Sequence, residues 1–515
     1  YILLQSTRTK TVTESADSES TESPLIYDRW TNNISYRQLV VSSCIGIFQL
    51  WWHPYLHDLR RLLPFLFLYN VFSVLVAYPL FYLELALGVV TQKGVLNCWD
   101  LAPMARGLGF AMLSCCVLSA MAAGAAGAWS LALVAHSAHA FLPWLHCAAA
   151  AAPPCAARHR PLPPHTETPA ESFFFNFVLD LKRDGLEGGL GNIVWELTAY
   201  YIVCWVLIYF IAIKRIYSYS KLVLFKDVLT YFVLVCCAVG AARLDGAGRM
   251  FRECDWSVLF EGLQMWREAV EYALLQMGAC SGALVMVGAA GPRRRRLGGT
   301  ALLAFAASKT CCMAAALALG AVHGALQLDY DNATHISAGA SSSMILWSDY
   351  VARIPGSQFW SALVFFTLFV LSLTTAGLLV QTVMSTLTGR SIRKISWAFL
   401  IMMCVLFCLI GVITLCTQGG LYIMNFLMNW PVTKPRVPIA AMVAAVITYM
   451  YGQTTFCEDV YFAVGEYPGV FMRVCWAMAP VILLMSRRRL TALRIATFHR
   501  LSIDWCGNTI TTRPM

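Results

Sequence analysis

Four side chains able to do chemistry stand inside otherwise apolar stretches: the adjacent hydroxyls of Thr374 and Thr375, the amine of Lys309 and the carboxyl of Glu84. Two neighbouring hydroxyls can supply oxygen ligands to a small hard cation. They can also donate back to the carbonyl one turn earlier, the commoner use of threonine in such a segment. A lysine inside an apolar helix is expensive and by default functional. The plainer readings of Lys309 are that it snorkels toward water or pairs with Glu84. Glu84 itself reads as a hydrogen-bonding strut between helices rather than a proton carrier. His53 and His57, spaced i, i+4, could form a weak metal pair but more commonly are solvated. The other histidines of the ten are scattered, and the chain carries no phosphate loop, nucleophile elbow or paired metal motif, so an enzyme is not expected.

The elements that hold these groups are membrane helices. The chain is 58% hydrophobic and 13% charged over 515 residues, with apolar runs longer than a soluble core helix needs. Barrel strands would alternate in polarity, and these runs do not. Eleven spans are predicted, over 36–56, 63–88, 108–138, 193–213, 222–241, 268–290, 298–323, 359–387, 397–416, 437–456 and 470–485. Residues 1–35 are polar and lack the apolar core of a signal peptide, predicting a cytoplasmic tail. Residues 36–485 form the transmembrane domain with an outer loop over 139–190, and 486–515 form a basic tail.

Charge sets the orientation. Basic groups follow the fourth, sixth and eighth runs: Lys214, Arg215, Lys221 and Lys226, then Arg293 to Arg296, then Arg390, Arg393 and Lys394. The second run is followed only by Lys93 and Arg106. This bias places the amino terminus inside. The net charge of +10 resides largely in such clusters and predicts no nucleic-acid partner. On the opposite side fall the glycosylation sequon at Asn332 and the pair Cys147 and Cys155, which could close a disulfide in an oxidising space. Most of the other cysteines, out of 19, read as small apolar core residues. Arg487, Arg488 and Arg489 follow the eleventh run, and no twelfth apolar run precedes Met515. The expectation is an incomplete chain, beginning at Tyr1, with its twelfth span missing. The alternative is an eleventh helix that does not fully span.

Several ordered motifs carry a family resemblance. They are Trp30 with Trp51-Trp-His-Pro-Tyr-Leu56, Pro79-Leu-Phe-Tyr-Leu-Glu-Leu-Ala-Leu-Gly88, Leu142-Pro-Trp144 before Cys147, Asp255-Trp256 with Trp266, Pro355-Gly-Ser-Gln-Phe-Trp360, Thr417-Gln-Gly-Gly-Leu-Tyr422, Tyr451-Gly452 with Phe456, and Cys475-Trp476 with Pro480. Together, from about Trp30 to Pro480, the chain resembles the neurotransmitter:sodium symporter family, solute carrier family six. The resemblance implies an all-α membrane fold of two inverted five-helix repeats, with helices one and six broken at the bilayer midplane. Such breaks free carbonyls for cations and amides for a substrate carboxylate.

The resemblance also assigns sites. It implies a second sodium site built from the carbonyls of Ser42, Ile45 and Leu371 and the hydroxyls of Thr374 and Thr375. It implies a degraded first sodium site at Cys44, Gln49, Gln276 and Ser308, because Gln49 and Ser308 replace asparagines and Gln276 a hydroxyl. The substrate pocket falls at Gly46, Ala123, Gly278 and Gly282, with Ala123 standing where a tyrosine is usual. The outer gate has become the apolar pair Trp52 and Val443, having lost both its arginine and its acid. Lys309, beside Ser308, could replace the first sodium as a tethered cation. The implied function is sodium-coupled symport of an amino acid, amine neurotransmitter or related small solute across the plasma membrane, with sodium as coupling ion and no chloride requirement. The alternative is a non-transporting or ion-uncoupled relative acting as a binding or regulatory membrane protein.

Overall fold

The structure, a computed structural model, describes residues 33–139, 141–147, 155–156, 166–183, 185–186, 189–213, 216–292, 296–330, 339–388 and 397–483. Residues 1–32 of the amino-terminal tail, the carboxyl-terminal tail, Asn332, Lys214, Arg215, Arg293 to Arg295 and the cluster at Arg390, Arg393 and Lys394 lie outside these residues. The described residues are helical, with two isolated bridges and no named strand. Among the described residues, eight helices are long and apolar enough to cross a membrane: Leu59–Thr91, Pro103–Ser137, Trp195–Ile213, Leu222–Ala242, Gly298–Asp329, Ser357–Thr388, Trp397–Leu415 and Gly420–Val464. The other three predicted spans take different forms. Two are each divided into a pair of short helices, and the last is the shorter apolar helix Val470–Leu483.

In chain order the helices used below are α1 (Asn33–Ser43), α2 (Ile47–Trp51), α3 (Leu59–Thr91), α4 (Arg106–Ser137), α5 (Pro169–Phe173), α6 (Trp195–Ile213), α7 (Ile216–Ala242), α8 (Gln264–Gln276), α9 (Ala283–Ala289), α10 (Gly298–Asp329), α11 (Ser342–Ala352), α12 (Ser357–Thr388), α13 (Trp397–Leu415), α14 (Gly420–Leu427) and α15 (Arg436–Ala445). The first predicted span is thus α1 plus α2, interrupted at Cys44 to Gly46. The sixth is α8 plus α9, interrupted at Met277 to Gly282.

Small residues let these helices approach closely, as they must where lipid supplies no hydrophobic drive between helices. A Cβ on Gly88 would come within 2.2 Å of the Val285 carbonyl oxygen, and one on Gly288 within 2.2 Å of that of Leu85, so α3 and α9 touch backbone to backbone. The same packing brings Glu84 of α3 to the break between α8 and α9. Helix α4 runs against α12 along an alanine- and glycine-rich face, where a Cβ on Gly127 would sit 3.2 Å from that of Ser372.

The side predicted to face outward carries ordered loop structure. Cys147 and Cys155 form a disulfide. Gln418, in the turn between α13 and α14, donates from Nε2 to Asp180 at 2.7 Å and accepts from the Asn192 amide at 3.0 Å. Tyr422 donates to the Lys182 carbonyl at 3.1 Å. The Thr417–Tyr422 motif is therefore a clamp on the outer loop, and its glycines fit because a Cβ on Gly420 would strike the Leu415 carbonyl at 2.2 Å. Lys226 does not belong to the inner basic connection. It lies ten residues beyond Ile216 in α7, about 15 Å along the helix axis, and is buried.

Candidate functional site

Both interruptions face one cavity, lined among others by Ser42, Ile45, Gly46, Gln49, Lys226, Gln276, Gly278, Thr374, Thr375 and Arg436. A helix break exposes backbone groups that must find partners in a buried setting, and here the side chains that supply them can be followed one by one.

In the first break, the Gly46 amide donates to Gln49 Oε1 at 2.8 Å and the Ile47 amide to Thr375 Oγ1 at 3.2 Å. Gly46 is held against α12: a Cβ there would meet Thr375 Oγ1 at 2.6 Å. The carbonyls point the other way. Gln49 Nε2 donates to the Cys44 carbonyl at 2.7 Å and the Gln276 carbonyl at 2.5 Å, and lies 3.5 Å from Ser308 Oγ. The four residues assigned to a degraded first sodium site are therefore brought together, with the carboxamide of one of them donating to the other three.

The second predicted cation position is also assembled, around a group that sequence reasoning placed elsewhere. Lys226 Nζ donates to the Ile45 carbonyl at 2.6 Å and the Ser42 carbonyl at 3.0 Å. It pairs with Asp227 at 3.1 Å, and Ser42 Oγ donates to the same carboxylate at 2.9 Å. Thr374 Oγ1 lies within donating distance of the Val370 and Leu371 carbonyls, at 2.9 and 3.1 Å. This is the back-bonding weighed above, and it engages the third predicted carbonyl ligand. A lysine inside the run 222–241 was the available signal for Lys226, the same signal that singled out Lys309.

In the second break, three residues adopt left-handed backbone: Gly278 (φ 68°), Cys280 (φ 64°) and Gly282 (φ 75°). Cys280 is the one where a side chain raises the conformational cost. Its amide donates to Glu84 Oε1 at 2.7 Å, so Glu84 braces the break from α3. Gln276 Nε2 donates across to the Phe48 and Trp52 carbonyls at 2.9 and 3.2 Å, tying α8 to α2. Arg436 of α15 is buried and donates to the Val432 and Ala279 carbonyls and, at 2.9 Å, to Ser119 Oγ. The sequence reading passed over it because it sits one residue before the run 437–456.

The remaining predicted residues separate from this cluster. Gly46 and Gly278 line the cavity, whereas Ala123 is buried in α4 and Gly282 precedes α9 with Val95 packed where a Cβ would stand. Trp52 and Val443 are both buried. Lys309 reaches neither the first cation position nor Glu84. Its Nζ lies 3.0 Å from Ser73 Oγ and 3.2 Å from the centre of the Tyr69 ring, both on α3. His53 is not solvated: it is buried with Nδ1 2.7 Å from the Tyr272 hydroxyl. No group of three or more potential metal-ligating His, Cys, Asp or Glu side chains occurs among the described residues.

The chain matches the sodium:neurotransmitter symporter family over residues 27–502. Among characterised relatives, it is 25% identical over 498 aligned residues to the sodium- and chloride-dependent glycine transporter 2 of Xenopus laevis, covering 88% of this chain and 63% of that protein. It is 26% identical over 490 residues to the sodium- and chloride-dependent creatine transporter 1 of Bos taurus, covering 89% of this chain and 76% of that one. The match runs through both helix breaks and every residue of the cavity. This chain is a multi-pass membrane protein that belongs to the sodium:neurotransmitter symporter family.

Proposed function

We propose that this chain is a carrier of a small solute, an amino acid, an amine or a related molecule, moved across the plasma membrane through the cavity at the two helix breaks. The observation that supports this most directly is that interrupted backbone from α1–α2 and α8–α9 meets in one cavity together with the buried cation of Arg436. Irregular backbone is tolerated at membrane depth where it lines such a space, and carriers use it to hold solutes. An amino terminus on the cytoplasmic side completes the reading.

Sodium-coupled symport is the form that kinship favours, since both relatives are sodium- and chloride-dependent by name. The hydrogen bonds of Lys226 favour the other form, a carrier uncoupled from sodium at the second cation position. The test is uptake by cells expressing the chain, with a panel of labelled glycine, creatine, other amino acids and amines, in sodium, choline and chloride-free buffers. Saturable uptake that is lost in Gly46→Leu, at equal surface expression, supports the carrier reading. Absence of uptake of every solute in every buffer, with the protein at the surface, overturns it in favour of a binding or regulatory role.

A further inference from the structure

We propose that Lys226 is the resident cation of the second ion position, so that its ammonium takes the place a sodium ion would fill and this position needs no sodium. The proposal rests on the carrier reading of the cavity and deepens it. The ammonium meets two of the three predicted carbonyl ligands at 2.6 and 3.0 Å, and a carboxylate at 3.1 Å. The third carbonyl, that of Leu371, is already engaged by Thr374 Oγ1 at 3.1 Å, and Thr375 Oγ1 accepts the Ile47 amide at 3.2 Å. Four of the five oxygens named for this position thus accept from an N–H or O–H group of the chain itself, and the fifth, Thr374 Oγ1, is turned to donate to the Val370 and Leu371 carbonyls.

Charge disfavours a second cation here. A mobile cation placed about 4 Å from the ammonium, at the effective dielectric of about 20 that suits such sites, meets a repulsion worth on the order of 1,000-fold in binding, which the neighbouring Asp227 carboxylate offsets in part. The tether matters as much as the charge. Lys226 is side-chain buried to 3% exposure and is carried on α7, while the oxygens belong to the break in the first span, so the ammonium joins those two elements without an ion that must be recruited and released. The first position repeats the pattern with a neutral donor, Gln49 Nε2, on the Cys44 and Gln276 carbonyls.

The test is sodium titration of the purified full chain in detergent, at constant ionic strength against choline, following the thermal unfolding midpoint. Ligand that binds only the folded state must raise that midpoint. The wild type is expected to show no sodium-specific shift, and Lys226→Arg none either. Lys226→Ala and Lys226→Met, which vacate the oxygens, are expected to be destabilised in choline and to recover by several degrees in sodium. Monodispersity in sodium but not in choline would count as the same recovery. A sodium-specific shift in the wild type overturns the proposal, as does a monodisperse Lys226→Ala that remains indifferent to sodium. Uptake is scored separately: a chain that transports nothing yet shows this titration pattern loses the carrier reading and keeps the assignment of Lys226.

Discussion

Two lysines stand in two apolar helices that pack on each other, and they meet different surroundings. Lys226 on α7 faces the interrupted first span, where the Ile45 carbonyl and the Ser42 carbonyl, the latter also accepting the Ile45 amide at 3.1 Å, accept its protons. Lys309 on α10 faces α3 where that continuous helix passes into the π-helical stretch Ser73–Ala77. It is left with the Ser73 hydroxyl and the face of Tyr69, and makes no ion pair among the described residues. The difference teaches that a lysine in an apolar helix becomes a fixed site only where a neighbouring backbone has oxygens to spare.

The sharpest way to break this comparison is to remove both amines in turn. In choline buffer Lys226→Met should destabilise the protein by about 3 kcal/mol, because it removes the cation paired with the Asp227 carboxylate and the donor shared by two carbonyls. Thermal unfolding in detergent reads this directly, and a loss no larger than that of Lys309→Met would erase the distinction.

A pH-dependent background must first be removed from such measurements. In the outer loop, burial raises the Glu171 carboxyl from its ordinary value of 4.5 to about 7, against the lowering effect of its hydrogen bonds from the Thr168 amide and hydroxyl. The folded state therefore holds this proton more tightly than the unfolded chain. Stability from this group is fully present below about pH 4.5 and declines as pH rises toward 7. Glu171→Gln should flatten that decline, worth at most about 3 kcal/mol at 1.36 kcal/mol per pH unit. Midpoints from pH 5 to 8 that fall equally in wild type and variant would assign the dependence elsewhere.

Gln49→Ala extends the comparison to a neutral donor. Removing its bonds to the Cys44 and Gln276 carbonyls and from the Gly46 amide should cost about 2 kcal/mol, less than loss of the charged Lys226. The smallest effect is expected for Lys309→Met. Exchanging an amine with one hydroxyl and one ring partner for an apolar chain of similar length should change stability by no more than about 1 kcal/mol.

Much of the architecture was legible along the chain. The apolar runs located the spans because only helices satisfy their own backbone in lipid. The pair Cys147 and Cys155 closes the disulfide that their placement allowed, and the Thr417–Tyr422 motif was legible as a family mark. Glu84 was legible as a strut, since a buried carboxyl must find a donor, and the Cys280 amide supplies it. Lys226 was misread because a basic residue near the edge of a span looks like an orientation charge until the neighbouring helix is in place. Lys309 was misread for the converse reason: adjacency to Ser308 in sequence puts the two side chains on different faces of one helix.

By itself the sequence determined the membrane class from composition and the family from motifs a few residues long, and the resemblance to that family implied the two places where helices give way. Only the tertiary structure decided which groups occupy the cation positions. Those positions consist of backbone carbonyls from α1, the break beyond it, α8 and α12, together with the hydroxyls of Ser308, Thr374 and Thr375, and a carbonyl carries no residue identity for a sequence to display. What fills them depends on which side chain the packing of α7 and α2 delivers within about 3 Å, a distance set by the whole bundle.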